Sequence, residues 1–332
     1  MGPVRPNGTN GSGGGTSVVT VTFEAAGFVV PFLRALGAAA SPLEVVVVDN
    51  ASRDGTAALV RETLPTARVI ASPTNLGFAA GSNLGAEHAS GDVLAFLNPD
   101  TVPPPGAVER LARPVRERPG LGAAGCKLVF PDGRIQSAGG MLGPNGHSVH
   151  RGYGEPDRRQ YDVEAAVDYV PGGALAIRRA LFLELGGFYP GYFPGFYEDV
   201  ELCLRLRERG YDVRYFPEPA IRHLESPSMR RAYAFWLTRN RLLFLARNGR
   251  AADAMHVVAV EALWLHREYL RPLLASVLGH RPSSPAAEWR RTRPVLAAIA
   301  VAAAVAPRAI WQARRMRGRA LSRGTPSPAR DP

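Results

Sequence analysis

Four short apolar runs, separated by segments of helix length, occur in the first hundred residues of this chain. The runs are TSVVTVTF, LEVVVVDN, ARVIAS and DVLAFLN, at residues 16–23, 43–50, 67–72 and 92–98. Amphipathic or Ala-rich stretches, at 56–64 and 78–89, precede the last two runs. Apolar strands that alternate with helices and are covered on both faces predict an α/β fold with a mostly parallel, doubly wound sheet.

The residues that follow these runs are the first functional candidates, because such sheets bind ligands in the crevice beyond the carboxyl ends of their strands. The candidates are Thr22, Phe23 and Glu24, then Asp49, Asn50 and Ser52, then Asn75, and finally Asn98 and Asp100. A nucleotide needs side-chain acceptors for its base or ribose, a role that suits Asp49, and a hard divalent cation for its diphosphate, a role that suits Asp100. Either residue taken alone could equally be a turn former or a helix cap.

A loop rich in small residues, NLGFAAGSNLGAEHASGD at 75–92, enters the helix before the fourth run. Backbone N–H groups near Gly77 and Phe78 could approach a nucleotide closely there, and Asn83 offers an amide. The first run is not followed by GxGxxG, and GxxxxGK[ST] does not occur. Their absence argues against dinucleotide dehydrogenases and P-loop NTPases.

Further candidates lie in the second half of the chain. Glu198 and Asp199 begin a periodic helix after an aromatic, Gly-rich run at 189–197. They could complement the helix dipole, or one of them could be a general base whose pKa is raised by partial desolvation. His223 follows the closing strand, and an imidazole beside a carboxylate suits Mn²⁺. The Gly-rich, charged segment 141–168 is a candidate lid.

The net charge of +11 is confined to the C-terminal part of the chain. Residues 1–228 contain 21 Arg and Lys against 24 Asp and Glu, whereas residues 229–332 contain 19 against 5. Arg-rich amphipathic stretches there include Trp236 and Trp264, and the apolar run at 295–306 is shorter than the roughly 20 residues that cross a bilayer. We therefore expect a helical, basic appendage that lies on an anionic surface or packs on the core.

Four motifs, in this order, resemble the bacterial family-2 inverting glycosyltransferases of GT-A fold, and are most similar to their rhamnosyltransferase branch. The motifs are VVVVDNASRDGT, NLGFAAGSNLGAEHASGDVLAFLNPDT, VPGGALAIRRALFLELGGF and FYEDVELCLRLRERGYDVRYFPEPAIRHLES. The resemblance covers about residues 17–228 and extends weakly into RNRLLFLARN at 239–248.

The resemblance implies a role for each candidate. Asp199 would be the catalytic base, with Glu198 in reserve, and Asp100 and His223 would hold Mg²⁺ or Mn²⁺. Asn98 replaces the first carboxylate of the family's Asp-x-Asp motif, which weakens metal binding because an amide carries no charge. The remaining residues would bind the nucleotide sugar: Thr22, Phe23, Glu24, Asp49, Asn50, Ser52, Asn75, Gly77, Phe78, Asn83, Asn98, Gly172 and Gly173.

The function implied is transfer of rhamnose from deoxythymidine diphosphate rhamnose, with uridine diphosphate hexoses or galactofuranose as other donors, to a polyprenyl-linked or polysaccharide acceptor. The organisation expected is a disordered leader at 1–16, a GT-A catalytic domain at 17–228 with a nucleotide half (17–101) and an acceptor half (102–228), and the extension 229–332. With two distant cysteines and no apolar leader segment, the expected location is cytoplasmic, peripheral on the inner face of the cell membrane.

Three other functions compete with this interpretation. Asn98 leaves open a GT-A-fold protein that binds a nucleotide or glycan without turnover. The basic tail suggests nucleic-acid binding, but the mildly acidic core argues against such a partner. A nucleotidyltransferase would also need a nucleotide and a metal at strand ends, although it does not require the Glu-Asp pair.

Overall fold

The computed structural model describes residues 14–39, 43–143, 146–224 and 233–249, together with shorter stretches between 267 and 307. Its strands are β1 (Thr16–Thr22), β2 (Glu44–Asp49), β3 (Arg68–Ala71), β4 (Val93–Leu97), β5 (Thr101–Val102), β6 (Leu121–Val129), β7 (Ile135–Ser137), β8 (Gly140–Leu142), β9 (Ser148–His150), β10 (Ala165–Ala166), β11 (Ala174–Arg178) and β12 (Asp212–His223). Its helices include α1 (Val29–Gly37), α2 (Thr56–Thr63), α3 (Gly77–His88), α4 (Ala107–Glu117), α5 (Arg179–Glu184), α6 (Glu198–Glu208), α7 (Tyr233–Asn248) and α8 (Arg271–Val277), with a 3₁₀ turn at Pro190–Tyr192. The four apolar runs are β1 to β4.

The central sheet has the strand order β10-β12-β6-β11-β4-β1-β2-β3, with β5 and β7 paired to β12 and β6. Strands β4, β1, β2 and β3 run parallel to one another, and β6 runs parallel to β12. The strand between these two groups, β11, runs antiparallel to both β4 and β6. The sheet is therefore mixed but mostly parallel, as predicted.

Successive residues of the parallel strands face opposite sides of the sheet, and helices cover both sides. In β1, Val18 packs with Phe32 of α1 in one apolar cluster, whereas Val19 packs with Ala79 of α3 in the other. The first cluster includes α1, α2 and α4, and the second includes α3, α5 and α6. Both faces being buried explains why these strands are continuously apolar.

Helix α7 belongs to the segment predicted to lie on an anionic surface or to pack on the core, and it packs into the second cluster through Leu243 and Phe244, which are 1% and 3% exposed. The predicted boundary at residue 228 falls outside the described residues, as do residues 1–13 of the predicted leader, whereas Thr16 already forms part of β1. None of the helices in the described stretches combines the length and the hydropathy that a membrane span requires. Much of the apolar run at 295–306 is described, and its Val295 is buried.

Candidate active site

The ends of β1 and β2 hold Asp49 in a network of hydrogen bonds. Thr22 Oγ1 donates to Asp49 Oδ1 at 3.0 Å, and Ser52 donates to the same carboxylate through its Oγ at 2.6 Å and its N–H at 3.1 Å. Ser52 Oγ also accepts the N–H of Glu24 at 3.0 Å, which joins the loop after β1 to the loop after β2. Asp49 is 3% exposed, and Phe23, which follows Thr22 on the chain, is 42% exposed. The network sets the carboxylate at the rim of the sheet in one orientation.

The loop into α3 is built on two asparagines. Asn75 Oδ1 accepts the N–H of Gly77 at 2.9 Å, and Asn50 Nδ2 donates to the Gly77 carbonyl at 3.1 Å. Gly77 has a φ of +76°, and a Cβ there would lie 2.8 Å from the Phe193 ring, so this position requires glycine. The next residue, Phe78, donates its N–H to the carbonyl of Pro194 at 2.8 Å. The small residues noted in the sequence at the start of α3 therefore allow the loop 190–197 to approach this helix closely.

Asn83 lies further along α3 and is engaged by the protein itself. Its Nδ2 donates to the Phe188 carbonyl at 2.8 Å and its Oδ1 accepts the Phe188 N–H at 2.8 Å. A Cβ on Gly187 would clash with this amide at 2.4 Å. These contacts give Asn83 a structural role, and its role in nucleotide binding stays a prediction.

Asp100 and His223 meet at the edge where β4 and β12 end. His223 Nε2 lies 3.0 Å from Asp100 Oδ1 and 3.4 Å from Asn98 Nδ2. On the other side of the ring, His223 Nδ1 lies 2.6 Å from Gln136 Oε1 on β7. A neutral imidazole that donates from Nδ1 to Gln136 directs its Nε2 lone pair at the carboxylate of Asp100. The side chain of Asp100 is 8% exposed.

Two electron-rich atoms 3.0 Å apart in a largely buried pair need a proton or a cation between them. Within the described residues, no three His, Cys, Asp or Glu side chains converge to hold a metal by themselves. Mg²⁺ commonly binds through one or two carboxylates with water and substrate phosphates completing its shell. Asp100 and His223 fit a divalent ion that is bound together with a diphosphate.

The Gly172-Gly173 turn before β11 connects Asn98, at the end of β4, to the Glu198-Asp199 pair. Gly173 O accepts the N–H of Asn98 at 3.1 Å, and Gly172 donates its N–H to Asp199 Oδ2 at 2.8 Å. A Cβ on Gly173 would lie 2.9 Å from the Asn98 amide, and one on Gly172 would lie 3.1 Å from the Phe78 ring. One turn therefore brings the end of β4, the loop into α3 and the start of α6 into contact.

Glu198 and Asp199 begin α6 after two residues in a strained backbone conformation. Phe196 and Tyr197 have φ values of +75° and +76°, which are unusual for residues with a Cβ. Such strain persists only where the surroundings hold it, and it clusters at functional sites. The pair is thus presented on a loop of fixed shape.

The environment raises the pKa of both carboxyl groups. Burial raises the pKa of Asp199, against the lowering effect of the N–H donors of Gly172 and Val200. Burial and then the charge of Asp199 raise the pKa of Glu198 well above its usual range. Among the described residues, Glu198 Oε2 is buried without a hydrogen-bond partner. The arrangement favours a neutral Glu198 beside an ionised Asp199 that is basic for an aspartate.

Two residues of the site were not predicted from the sequence. Gln136, on a short strand, fixes the ring of His223, and Asn240 on α7 donates to carbonyls of the loop before α6. Both act across 44 or more residues of chain, so no local pattern identifies them. The only signal was the weak extension of the resemblance into RNRLLFLARN.

Comparison with protein-family models matches residues 17–184, just over half of the chain, to glycosyl transferase family 2. The O-antigen biosynthesis protein RfbC of Myxococcus xanthus is 34% identical over 214 residues, which are 58% of this chain and 16% of that protein. The N-acetylglucosaminyl-diphospho-decaprenol L-rhamnosyltransferase of Mycobacterium tuberculosis is 29% identical over 235 residues, 64% of this chain and 76% of that protein. An uncharacterized protein, y4gI of Sinorhizobium fredii, is 28% identical over 56% of this chain and 21% of its own length. The chain thus spans 21% and 16% of the lengths of y4gI and RfbC.

Solved structures agree on the fold. The mannosyltransferase PcManGT from Pyrobaculum calidifontis, solved with GDP-Man and Mn²⁺, aligns with a TM-score of 0.52 at 19% identity over 94% of this chain and 76% of that one. S. aureus TarS 1–349 in complex with UDP-GlcNAc aligns with a TM-score of 0.51 at 15% identity over 84% of this chain and 90% of that one. The chain therefore belongs to glycosyl transferase family 2, is similar to its rhamnosyltransferases, and has a GT-A-like fold.

Proposed function

We propose that this protein is an inverting glycosyltransferase that moves a sugar from a nucleoside diphosphate to a hydroxyl group of a lipid-linked or polysaccharide acceptor in cell-envelope glycan synthesis. The observation that carries the proposal is the Gly172-Gly173 turn, which hydrogen-bonds to Asn98 on one side and to the carboxylate of Asp199 on the other. A nucleotide-sugar site needs two different groups in one crevice: one that binds the diphosphate and one that acts as the base.

The proposed mechanism is a single displacement. Asp199 accepts the proton of the acceptor hydroxyl while that oxygen bonds to the anomeric carbon, and the bond from this carbon to the diphosphate oxygen breaks with the electron pair leaving on the diphosphate. Attack opposite to the leaving group inverts the anomeric configuration. The raised pKa of Asp199 supports this role, because it makes the carboxylate a stronger base than an exposed aspartate.

The diphosphate end of the donor is assigned to Asp100, His223 and Asn98. A bound Mg²⁺ or Mn²⁺ would neutralise the charge that develops on the departing diphosphate. Asp100 and His223 would hold the ion, and Gln136 would keep the ring of His223 in place. Asp49, held by Thr22 and Ser52, would accept hydrogen bonds from the base or ribose.

The donor and acceptor are proposed from the relatives. The Mycobacterium tuberculosis protein is, by its name, a rhamnosyltransferase acting on a decaprenol-linked diphospho sugar. We therefore assign deoxythymidine diphosphate rhamnose as the donor and a polyprenyl-linked sugar as the acceptor, at the inner face of the cell membrane. The 19 Arg and Lys against 5 Asp and Glu in residues 229–332 support attraction to an anionic leaflet. The catalytic domain is assigned to residues 17–228, and helix α7 packs against it.

The test is a panel of nucleotide sugars, assayed for binding and for transfer to a polyprenyl diphospho sugar, with and without Mn²⁺. We expect metal-dependent transfer from the rhamnose donor and a product of inverted anomeric configuration. Binding of a nucleotide sugar without release of its nucleoside diphosphate would instead identify a binding protein. Salt-sensitive binding of DNA, with no binding of any nucleotide sugar, would identify the nucleic-acid alternative.

A further inference from the structure

We propose that Asn240, on helix α7, is the positioning residue of the catalytic loop, and that α7 is thus a part of the active-site framework. The catalytic loop is defined here as residues 190–197, which precede Glu198 and Asp199. This inference rests on the proposed function, because it assigns the purpose of the loop to the placement of Asp199.

Asn240 is fully buried, and its amide is directed at the main chain of the catalytic loop. Its Nδ2 donates to the carbonyls of Tyr192 at 3.0 Å, Gly195 at 2.6 Å and Phe196 at 3.2 Å. An amide nitrogen has two hydrogens, so one of these contacts is shared. A single side chain therefore satisfies three carbonyls of a loop that has no regular secondary structure after Tyr192.

The orientation of this amide is fixed by its neighbour on the helix. Arg239 Nη1 donates to Asn240 Oδ1 at 2.6 Å and to the Gly191 carbonyl at 2.5 Å. Because the guanidinium can only donate, it holds the amide oxygen away from the loop and leaves the nitrogen facing the three carbonyls. Arg239 and Asn240 together thus contact both ends of the loop.

The catalytic loop in turn touches both functional halves of the site. Its Pro194 carbonyl accepts the N–H of Phe78, and its Phe193 ring lies against Gly77, so it supports the predicted nucleotide loop. Its last residues, Phe196 and Tyr197, have the strained φ values that lead into the Glu-Asp pair. A strained loop keeps its shape only while other contacts hold it, and Asn240 supplies three of them.

Helix α7 is itself fixed by a buried ion pair. Arg247 donates to Glu201 Oε1 of α6 at 2.7 Å from Nη2 and at 3.0 Å from Nε, and its guanidinium lies 3.4 Å from the centroid of the Tyr189 ring. Tyr197, at the end of the loop, packs its ring 5.5 Å from that of Phe244. Asn240 therefore acts from a rigid support, which is what positioning requires.

The test variant is Asn240→Asp in the full-length protein, which preserves size but replaces the donor nitrogen with an oxygen that faces three carbonyls. We expect kcat to fall about 10²-fold, because a displacement of about 1 Å in a catalytic group has that effect, while the Kd of the nucleotide sugar changes far less. Asn248→Asp is the matched control, since the amide of Asn248 donates to Phe244 on its own helix. We expect its kcat to remain at the wild-type level.

Amide hydrogen exchange provides a readout that does not depend on turnover. In Asn240→Asp, the amides of Phe78 and Gly172, which are bonded to Pro194 and Asp199, should exchange faster, while those of β1 and β2 should keep their wild-type rates. Unchanged kcat and unchanged exchange at these two amides would overturn the proposal. A uniform acceleration across the sheet with a lower Tm would also overturn it, because it would indicate a purely structural role.

Two further outcomes remain distinguishable. If Asn240→Asp does not fold, Arg239→Lys replaces it, since a lysine cannot hold both the Asn240 oxygen and the Gly191 carbonyl in the same geometry. We expect about a tenfold lower kcat at unchanged Tm, and a wild-type kcat would overturn the proposal.

If the wild-type protein transfers no sugar, the proposed function fails. Faster exchange at Phe78 and Gly172 in Asn240→Asp would still support the contact that Asn240 makes with the catalytic loop.

Discussion

The part of the site around Asp49, here called the nucleotide half, and the part around Asp199, here called the base half, are assembled in different ways. Around Asp49, the contacts join residues three apart, such as Asp49 and Ser52, or the facing ends of two adjacent parallel strands, such as Thr22 and Asp49. Around Asp199, they come from Gly172, 27 residues away, and from Asn240 through the catalytic loop. The first half is stabilised by the pairing of two adjacent strands and by the loop that follows them, whereas the second depends on the packing of helix α7. Substitutions should therefore affect donor binding in the first half and turnover in the second.

The largest effect is expected from Asp199→Asn. Loss of the general base should lower kcat by about 10²- to 10⁴-fold and leave the Kd of the donor largely intact, because the amide can still accept the N–H of Gly172. Steady-state rates and calorimetric donor binding measure the two quantities. Glu208→Gln, at the exposed end of α6, is the control. Turnover close to that of the wild type would remove Asp199 from this role.

Loss of the buried ion pair tests how far the base half depends on α7. Arg247→Met leaves Glu201 buried and unpaired, which should lower the free energy of unfolding by about 3–5 kcal/mol, measured by urea denaturation. In the double variant Arg247→Met with Glu201→Leu, most of the lost free energy of unfolding should be recovered. The exposed pair Arg134–Asp132 serves as the control, since Arg134→Gln should change stability far less. Equal losses for the buried and exposed pairs would show that α7 is not required by the fold.

Asp100 and His223, here called the metal pair, follow β4 and end β12, and Asn98 beside them is bonded to the Gly172-Gly173 turn. Asp100→Asn removes the only carboxylate of the metal pair, so the affinity for Mn²⁺ in the presence of a nucleoside diphosphate should fall at least about tenfold. Electron paramagnetic resonance of free Mn²⁺ measures the affinity without turnover. Asp132→Asn, on an exposed turn, should leave it unchanged. An unaltered affinity in Asp100→Asn would place the ion elsewhere.

The pH dependence of kcat tests whether the general base of the base half is buried. The groups around the Asp199 carboxylate include Glu198, which precedes it on the chain, the N–H donors of Gly172 and Val200, and the side chains of Tyr169 and Cys203. Because burial raises the pKa of Asp199 and the base acts when ionised, kcat should rise with pH through a value above the ordinary aspartate pKa of about 3.9. Below that value kcat should fall about tenfold per pH unit. An acid limb at or below the ordinary pKa would contradict a buried base.

The smallest effect is expected in the nucleotide half. Ser52→Ala removes one donor to Asp49 but leaves Thr22 Oγ1 in place, so donor binding should weaken by about 0.5–1.5 kcal/mol, or roughly 2- to 10-fold in KM. The value of kcat should not change. If kcat fell and KM did not, the proposed division between the two halves would be wrong.

The different assembly of the nucleotide half and the base half also explains which parts of the fold and of the site could be predicted from the sequence. Strands β1 to β4 and the order of Asp49 and Asp100 follow from local patterns, because apolar runs define buried strands and polar residues mark their ends. The role of Gln136 could not be predicted, since it contacts His223 across 87 residues of chain. In the sequence, Asn240 is one polar residue in an arginine-rich helix, and only packing shows that it faces the catalytic loop.

In the proposed mechanism, the metal pair and Asp199 face one bound nucleotide sugar. A crystal structure of Asp199→Asn with Mn²⁺ and an intact nucleotide sugar tests this arrangement, because the substitution protects the donor from turnover. We expect the ion against Asp100 and His223, the diphosphate bound to the ion, and the anomeric carbon turned toward residue 199. A donor bound away from the Gly172-Gly173 turn, or an ion that does not contact Asp100, would contradict it.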